Sequence, residues 1–338
     1  LRMTVGLTTA VAVCYGVAWP LSFIAPLFAV IFLTFPAWIG WKMAGQILLR
    51  LAFSLLIGLI ISEFFLNFPL LCIPLYGLLF FFIYYNDTPT APPMAAMFMT
   101  IGITIVPIMG LSGTGPAHLI AISLLFNMAA GLIFAWIFHL LIPNNLARHA
   151  PQTPPVKKSE PPPEISKNER TRLALVSAIV ALTAVIFFFS LNLVSYAFAM
   201  IQICLMAGAP NANSSFQAMK DNALACLIGG IAIIIVYNLL TAVPTYLFLM
   251  VITLCVALLF SRKIYAGGPM TKAYVSGLTT FLVLLGTSTM ADTAASTNFY
   301  LRIAQILFAG LFTVAGLVLV ERLLRPGKLR KLTQTSCK

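Results

Sequence analysis

Twelve apolar segments, separated by short turn signals, make up most of this sequence. The lengths of these segments are close to the length of about 20 residues that an α-helix needs to cross the hydrocarbon core of a bilayer. Their backbone polar groups would find no water partner in lipid, so the segments must be helical. They also lack the polar–apolar alternation of outer-membrane strands. The sequence therefore predicts an all-α integral membrane protein with about twelve transmembrane helices, at residues 2–19, 22–39, 43–66, 69–85, 92–110, 117–142, 171–190, 193–208, 217–241, 244–260, 270–289 and 299–323.

Composition and charge exclude a soluble globular protein. Of all residues, 61% are hydrophobic and 8% are charged, whereas a soluble domain carries about 25% charged residues. The net charge is +12, from 20 basic and 8 acidic residues. If the N-terminus is cytoplasmic, every Lys and Arg except Arg302 falls on the cytoplasmic side, as the positive-inside rule requires. We therefore expect both termini in the cytoplasm, with basic loops that contact anionic membrane lipid, and no nucleic-acid partner.

The chain divides into two membrane halves joined by a polar segment. We predict a first six-helix half at 1–142, a Pro-rich cytoplasmic linker at 143–170, a second six-helix half at 171–325 and a basic cytoplasmic tail at 326–338. The linker holds seven prolines among charged residues, a composition typical of semi-extended, mostly disordered segments.

The two halves resemble copies of each other. Similar residues recur at equivalent places, 170 to 183 positions apart. Each half has an even number of helices, so both would share one orientation and be related by an axis along the membrane normal. Transporters commonly place a substrate path at such a repeat interface. The recurring pairs are Arg2 and Arg172, Gly58 and Gly229, Pro69 and Pro244, Pro93 and Pro269, and Pro143 and Pro326.

No enzyme motif is present in the sequence. Walker A, HExxH and GxSxG sequences are absent. Five of the six cysteines lie inside apolar runs and none forms a CxxC motif, which argues against a disulfide framework or a zinc knuckle. We expect no catalytic residues, no cofactor and no metal site.

The informative residues are the few charged groups at membrane depth, which usually face a cavity or a partner. Arg50 lies about two turns into the third helix, and its repeat equivalent is Asp221. Arg50 is a candidate substrate-binding cation, and Asp221 is a candidate counter-charge or proton acceptor. Alternatively, Arg50 extends to the lipid headgroups and Asp221 caps a helix N-terminus.

A second group of candidates lies toward the outer side of the membrane. Glu63 and Asp292 are candidates for proton coupling. Arg302, the exception to the charge asymmetry, is a second candidate for substrate binding, or it is an exposed arginine at a helix start. His118 and His139 stand near the two ends of the sixth helix, where histidine can relay protons. Interfacial histidines without that role are the alternative.

Several short motifs resemble the fusaric acid resistance and aromatic acid exporter superfamily. Leu1-Arg2 precedes an Ala/Val-rich helix, and Phe23-Ile24-Ala25-Pro26-Leu27 follows it. Arg50, Ser54 and Gly58 are similar to that superfamily's Arg-x-x-Gly-Thr-x-x-Gly helix, although Phe53 replaces the first glycine and the second glycine is one residue late. The sequence Thr171-Arg172-Leu173-Ala174 restarts the pattern in the second half.

The resemblance implies an exporter of aromatic or other hydrophobic carboxylic acids in the bacterial inner membrane, working with a periplasmic membrane-fusion adaptor protein. Familiar exporters of this kind carry a large cytoplasmic domain, which the short linker at 143–170 does not match. The chain is more similar to a short branch known only as a domain of unknown function. A related plant group forms anion channels as dimers of six-helix units, so a homo-oligomer is also considered.

These observations lead to one expected function and two alternatives. We expect export of small organic anions, driven by the proton motive force, with the carboxylate bound by arginine, which matches that group with two hydrogen bonds. The first alternative is an uncoupled anion channel. The second is a membrane scaffold that assembles an adaptor protein without transporting anything.

Overall fold

The computed structural model describes residues 1–35, 38–87, 94–142, 167–208, 212–266, 270–290 and 295–324. Within these ranges the chain forms twelve α-helices and no β-strand. The prediction of an all-α chain with twelve helices is therefore confirmed. The helices are α1 (Arg2–Gly16), α2 (Ile24–Leu33), α3 (Trp41–Ile60), α4 (Pro69–Asn86), α5 (Ala95–Gly110), α6 (Thr114–Leu141), α7 (Lys167–Ser190), α8 (Ala197–Ala207), α9 (Ala212–Ala242), α10 (Tyr246–Tyr265), α11 (Thr271–Met290) and α12 (Ala295–Leu324).

Seven helical segments of the described ranges are long and apolar enough to cross a bilayer. Their outward faces carry large exposed apolar side chains, such as Leu70, Leu247 and Leu49. In water such continuous apolar faces would drive aggregation, whereas lipid chains solvate them. The chain is therefore a multi-pass membrane protein. The long segments are Trp41–Phe65, Pro69–Asn86, Thr114–Leu141, Lys167–Ser190, Ala223–Ala242, Tyr246–Tyr265 and Tyr300–Arg322.

Two helices are much shorter than the sequence predicted. Among its described residues, the predicted helix 22–39 is helical only over Ile24–Leu33, and the predicted helix 193–208 comprises a 3₁₀ turn at Val194–Tyr196 followed by α8. Ten or eleven residues rise only about 15–17 Å, roughly half of the hydrocarbon core. Most residues of both helices are buried. Burial within the protein is what permits a helix to end at membrane depth, because lipid cannot satisfy its terminal backbone groups.

The chain forms two compact units, and the first contains residues 1–52, 119–165 and 221–304. In this unit α1 packs on α2 and α10, and α11 packs on α10 and α2. Leu7 of α1, Val30 of α2, Val256 of α10 and Leu278 of α11 share one apolar core. The Tyr246 hydroxyl at the start of α10 donates a hydrogen bond of 2.6 Å to the Ala12 carbonyl of α1.

The second unit contains residues 53–118, 166–220 and 305–338. In this unit α7 packs on α4 and α8, and α5 packs on α4 and α8. Tyr76 and Phe80 of α4, Phe188 of α7 and Met200 of α8 lie in its core. The Tyr76 hydroxyl donates a hydrogen bond of 2.9 Å to the Ile103 carbonyl of α5, so this polar group is satisfied inside the apolar core.

The compact units differ from the two halves of the sequence. The first unit combines α1 and α2 of the first half with α10 and α11 of the second half. The second unit combines α7 and α8 of the second half with α4 and α5 of the first half. The boundaries between the units fall inside α3, α6, α9 and α12. The helix α7 begins at Lys167, so residues 167–170, predicted to be linker, are helical. The rest of the linker and the tail lie outside the described residues.

Candidate functional site

The helix α3 carries two of the predicted site residues. Arg50 lies in its middle, within the first unit, and its side chain is half-buried. It forms no hydrogen bond or ion pair with any residue in the described part of the chain. Since an ionised group at membrane depth usually faces a partner or a polar cavity, Arg50 is available for an anionic ligand.

Glu63 lies on a π-helical turn, Ile61–Phe65, that continues α3 in the second unit. Its Oε1 atom lies 3.1 Å from Nε2 of His118, near the start of α6. The Nδ1 atom of His118 lies 2.9 Å from the Thr114 carbonyl oxygen, which fixes the ring orientation. Both side chains of the pair remain partly exposed, at 38% for Glu63 and 46% for His118. Glu63 and His118 were separate sequence candidates, and the fold brings them together.

Close packing of α3 on α5 explains how the Glu63–His118 pair is positioned. Along this crossing, Ser54 and Gly58 of α3 and Ser62 of the π-turn face Gly102 and Gly110 of α5. A Cβ atom on Gly58 would stand 2.7 Å from the Gly102 carbonyl oxygen, so only glycine permits this approach. Small residues at such four-residue spacing are the usual means of close helix contact in membranes. The crossing holds the end of α3 beside the α5–α6 turn, and therefore holds Glu63 beside His118.

The first unit contains an equivalent crossing of α9 on α11. A Cβ atom on Gly229 would collide with the Gly277 carbonyl oxygen, and Gly277 faces the Ala225 carbonyl. No carboxylate occupies the place on α9 that corresponds to Glu63 on α3, where the sequence has Ile234. The ionisable pair therefore belongs to only one of the two crossings.

Arg302 lies on α12 in the first unit and is half-buried. Its guanidinium is within electrostatic range of the Cys226 thiol on α9. Asp292, the nearby candidate in the sequence, lies outside the described residues. A substrate-binding role for Arg302 stays a prediction.

The backbone of Asp221 lies in α9, but its side chain is outside the part of the chain that the structure describes. The predicted approach of Asp221 to Arg50 is therefore untested. The proton-coupling role of Asp292 is untested for the same reason.

Sequence reasoning did not foresee how the structure uses three other arginines. Arg2 is buried and donates from Nη2 to the carbonyls of Leu33, at 3.3 Å, and Phe35, at 3.1 Å, at the end of α2. Arg170 stacks over the Tyr85 ring and donates to the Tyr85 carbonyl. Arg172 forms an ion pair of 3.5 Å with Glu321. These arginines are structural, and the sequence signal for them is only a basic residue at the start of α1 or α7.

An apolar cavity of about 180 Å³ lies in the second unit, between the first half of α4 and the second half of α7. Pro69, Tyr76, Leu182 and Phe189 line it, together with Leu66, which directly follows the π-turn. An engineered protein cavity of about 150 Å³ accommodates benzene. The cavity is therefore large enough for one aromatic ring.

Comparison with known proteins gives one match. No curated protein and no solved structure matches this chain. A family model described as a protein of unknown function, DUF2955, matches residues 1–138, which end just before the last residues of α6. The similarity to a domain of unknown function is thus confirmed for the first half of the sequence, and no match connects the chain with fusaric acid resistance or aromatic acid export.

Proposed function

We propose that this protein exports small organic anions, such as aromatic carboxylic acids, across the bacterial inner membrane, driven by the proton motive force. The carrying observation is the partly exposed pair of Glu63, on the π-helical turn that continues α3, and His118 of α6, together with the half-buried Arg50 in the middle of α3. Interruptions of this kind inside a helix often mark functional sites. A titratable pair and an available cation are the two groups that proton-coupled anion transport needs.

The Glu63–His118 pair is suited to carry a proton. Histidine commonly serves as a proton shuttle in proteins, and a neighbouring carboxylate can accept its proton. At 3.1 Å the Oε1 and Nε2 atoms are within hydrogen-bond distance, and both residues are accessible enough to exchange protons with water. In this proposal Glu63 and His118 bind a proton from outside, and Asp221 and Asp292 act as further proton acceptors.

Arg50 and Arg302 supply the positive charge for the substrate. An arginine guanidinium binds a carboxylate through two parallel hydrogen bonds, which a lysine cannot reproduce. Separately, the second unit contains an apolar cavity of about 180 Å³, which is large enough for one aromatic ring. The two arginines favour a substrate that carries a carboxylate.

We further propose that the two six-helix halves are structural repeats related by an axis along the membrane normal. Three observations support this. The helix contacts of the first unit have equivalents in the second: α1 on α10 corresponds to α7 on α4, and α2 on α11 corresponds to α8 on α5. Gly58 meets Gly102 as Gly229 meets Gly277. The matched family model ends near the boundary of one half.

The proposed setting follows from charge and resemblance. We place both termini in the cytoplasm because this orientation puts all basic residues except Arg302 on that side. A periplasmic membrane-fusion adaptor protein would receive the exported anion, and pairing with a second copy of the chain is compatible with this arrangement.

The experiment is proton-driven accumulation of 4-hydroxybenzoate by liposomes that contain only this chain. We expect an imposed pH gradient to drive accumulation beyond that of protein-free liposomes. Glu63→Gln should abolish accumulation against a gradient, because the proton site is lost, while Glu169→Gln, which changes an acid at the start of α7, should retain it.

Three other outcomes would contradict this proposal or a part of it. Flux down a gradient that never accumulates substrate in the unaltered protein would indicate an uncoupled anion channel. Absence of any flux would favour the non-transporting scaffold. Unchanged accumulation by Glu63→Gln would remove the proposed role of the Glu63–His118 pair.

A further inference from the structure

A groove of about 430 Å³ opens in the first unit, at the C-terminal end of α10. Its volume lies within the range of about 300–1,000 Å³ that is typical of ligand sites. The residues that line it include Ile228 of α9, Leu259, Phe260, Arg262 and Lys263 of α10, and Tyr274 of α11.

The lining divides into an apolar part and a cationic part. Ile228, Leu259 and Phe260 supply hydrocarbon surface, and Tyr274 packs with its ring edge toward Phe260, at 6.4 Å between ring centres. Arg262 and Lys263 are both exposed in the last turn of α10. The groove therefore matches a ligand that has an anionic group at one end and hydrocarbon at the other.

The two cations are available for such a ligand. Arg2, Arg170 and Arg172 use their side chains on carbonyls, on a tyrosine ring and on a glutamate. In contrast, neither Arg262 nor Lys263 forms a side-chain hydrogen bond or ion pair with the residues that the structure describes. Basic side chains stabilise a helix C-terminus in general, but that role alone does not explain an adjoining apolar groove.

We propose that this groove binds one anionic phospholipid, with its phosphate between Arg262 and Lys263 and an acyl chain along Ile228, Leu259 and Phe260. Basic pockets between transmembrane helices are known to hold lipid head groups. The bilayer around the protein supplies the phospholipid, since the groove lies on a multi-pass membrane protein. With the orientation proposed above, the lipid belongs to the cytoplasmic leaflet, but its binding does not depend on transport.

The test is a binding titration of the purified full-length chain with phosphatidylglycerol, with phosphatidylcholine and glycerol 3-phosphate as comparisons. We expect saturable binding of phosphatidylglycerol with one lipid per chain, and at least about tenfold weaker binding of phosphatidylcholine. Each basic residue near a membrane surface contributes about 1 kcal/mol to binding of anionic lipid, so Arg262→Gln with Lys263→Gln should weaken binding about 30-fold.

The matched control is Lys42→Gln with Arg322→Gln, which removes the same charge from two exposed residues outside the groove. We expect the control to bind phosphatidylglycerol within about threefold of the unaltered chain, a difference below 1 kcal/mol. If the double variant of the groove fails to fold, Lys263→Gln alone should weaken binding about fivefold.

Three results would overturn the proposal. Equal weakening in both double variants would indicate general attraction to surface charge. Binding of glycerol 3-phosphate as tight as that of the lipid would indicate a site for a soluble anion. Equal affinity for six-carbon and long-chain phosphatidylglycerol would show that the apolar side of the groove contributes nothing.

Discussion

At the scale of single residues, the charged side chains of this protein have two kinds of environment. Arg2 and Arg172 have partners in the protein, whereas Arg50 and Arg262 have none among the described residues. The sequence identifies these residues as unusual in an apolar chain, but it does not distinguish the arginines that have partners from those that do not. Their partners are backbone carbonyls and side chains more than thirty residues away, as with Arg2 and Leu33, and only the fold determines these pairings.

The buried Arg2 should contribute to stability through the carbonyls of Leu33 and Phe35. Replacing it by glutamine, which does not reach both carbonyls, removes hydrogen bonds from a charged donor, each of which contributes about 1.5–3 kcal/mol. We expect Arg2→Gln to lower the thermal unfolding temperature in detergent. Arg322→Gln, at an exposed residue, is the control and should unfold at the original temperature. Equal temperatures for both variants would contradict the proposed role of Arg2.

The available Arg50 should affect substrate binding rather than stability. A hydrogen bond to a charged group contributes about 1.5–3 kcal/mol, so Arg50→Gln should raise the half-saturating concentration of 4-hydroxybenzoate by at least about tenfold. The control is Lys42→Gln, which removes a charge from an exposed residue of the same helix. It should change the half-saturating concentration by less than about threefold. The measurement is initial uptake rate in liposomes with matched protein content. A normal half-saturating concentration in Arg50→Gln would exclude this arginine from the binding site.

At the scale of helices, the sequence predicted the existence of all twelve but not the lengths of α2 and α8. Apolar residues also precede both helices, such as Phe23 before α2 and Leu193 before α8, so hydropathy does not mark where these helices begin. The turns that precede them also lack the usual glycine: Ala18 and Leu21 before α2, and Asn192 before α8, adopt positive φ angles of 50° to 54°. Non-glycine residues in this region are held there by their surroundings. Tertiary packing, which the sequence pattern does not show, therefore sets both boundaries.

The recurrence of Gly58 and Gly229 was visible in the sequence, but the helices that they contact were not. The structure shows that each glycine meets a glycine carbonyl on the second helix after its own. These contacts are between backbone atoms, which cannot rotate away. They therefore restrict each position to glycine, and they bring α3 to α5 and α9 to α11 by van der Waals contact, which is the main force between helices in lipid.

A methyl group at either crossing should destabilise the protein. We expect Gly58→Ala and Gly229→Ala each to lower the free energy of unfolding by about 1–3 kcal/mol, the usual cost of overpacking. The control is Gly45→Ala on α3, where an added Cβ atom meets nothing within 4 Å. Alanine favours a helix by about 1 kcal/mol over glycine, so this variant should be as stable as the original protein or slightly more stable. Denaturation in mixed detergent micelles measures all three, and the idea fails if Gly58→Ala behaves as Gly45→Ala does.

At the scale of the whole molecule, fold class follows from sequence, but the grouping of helices does not. The excess of apolar residues and the scarcity of charge determine that the chain is helical and embedded in lipid. Helices that are close in the sequence would be expected to pack within their own half. In the structure, α1 and α2 instead pack with α10 and α11, and α7 and α8 pack with α4 and α5. Such long-range pairings depend on the detailed shapes of helix surfaces, which hydropathy does not record.

The proposed parallel relation between the halves has a direct consequence for topology. Val17, between α1 and α2, and Leu191, between α7 and α8, are exposed residues at equivalent places in the two halves. Asn86, at the end of α4, and Ala266, after α10, are another exposed equivalent pair. In a background without native cysteines, we expect Val17→Cys and Leu191→Cys to react with a membrane-impermeant maleimide added to the periplasmic side. The variants Asn86→Cys and Ala266→Cys should react only after the membrane is permeabilised. If the halves had inverted orientations, the two cysteines of each pair would lie on opposite sides of the membrane, and only one of them would react from the periplasmic side. The labelling pattern therefore distinguishes the two kinds of repeat independently of any transport measurement.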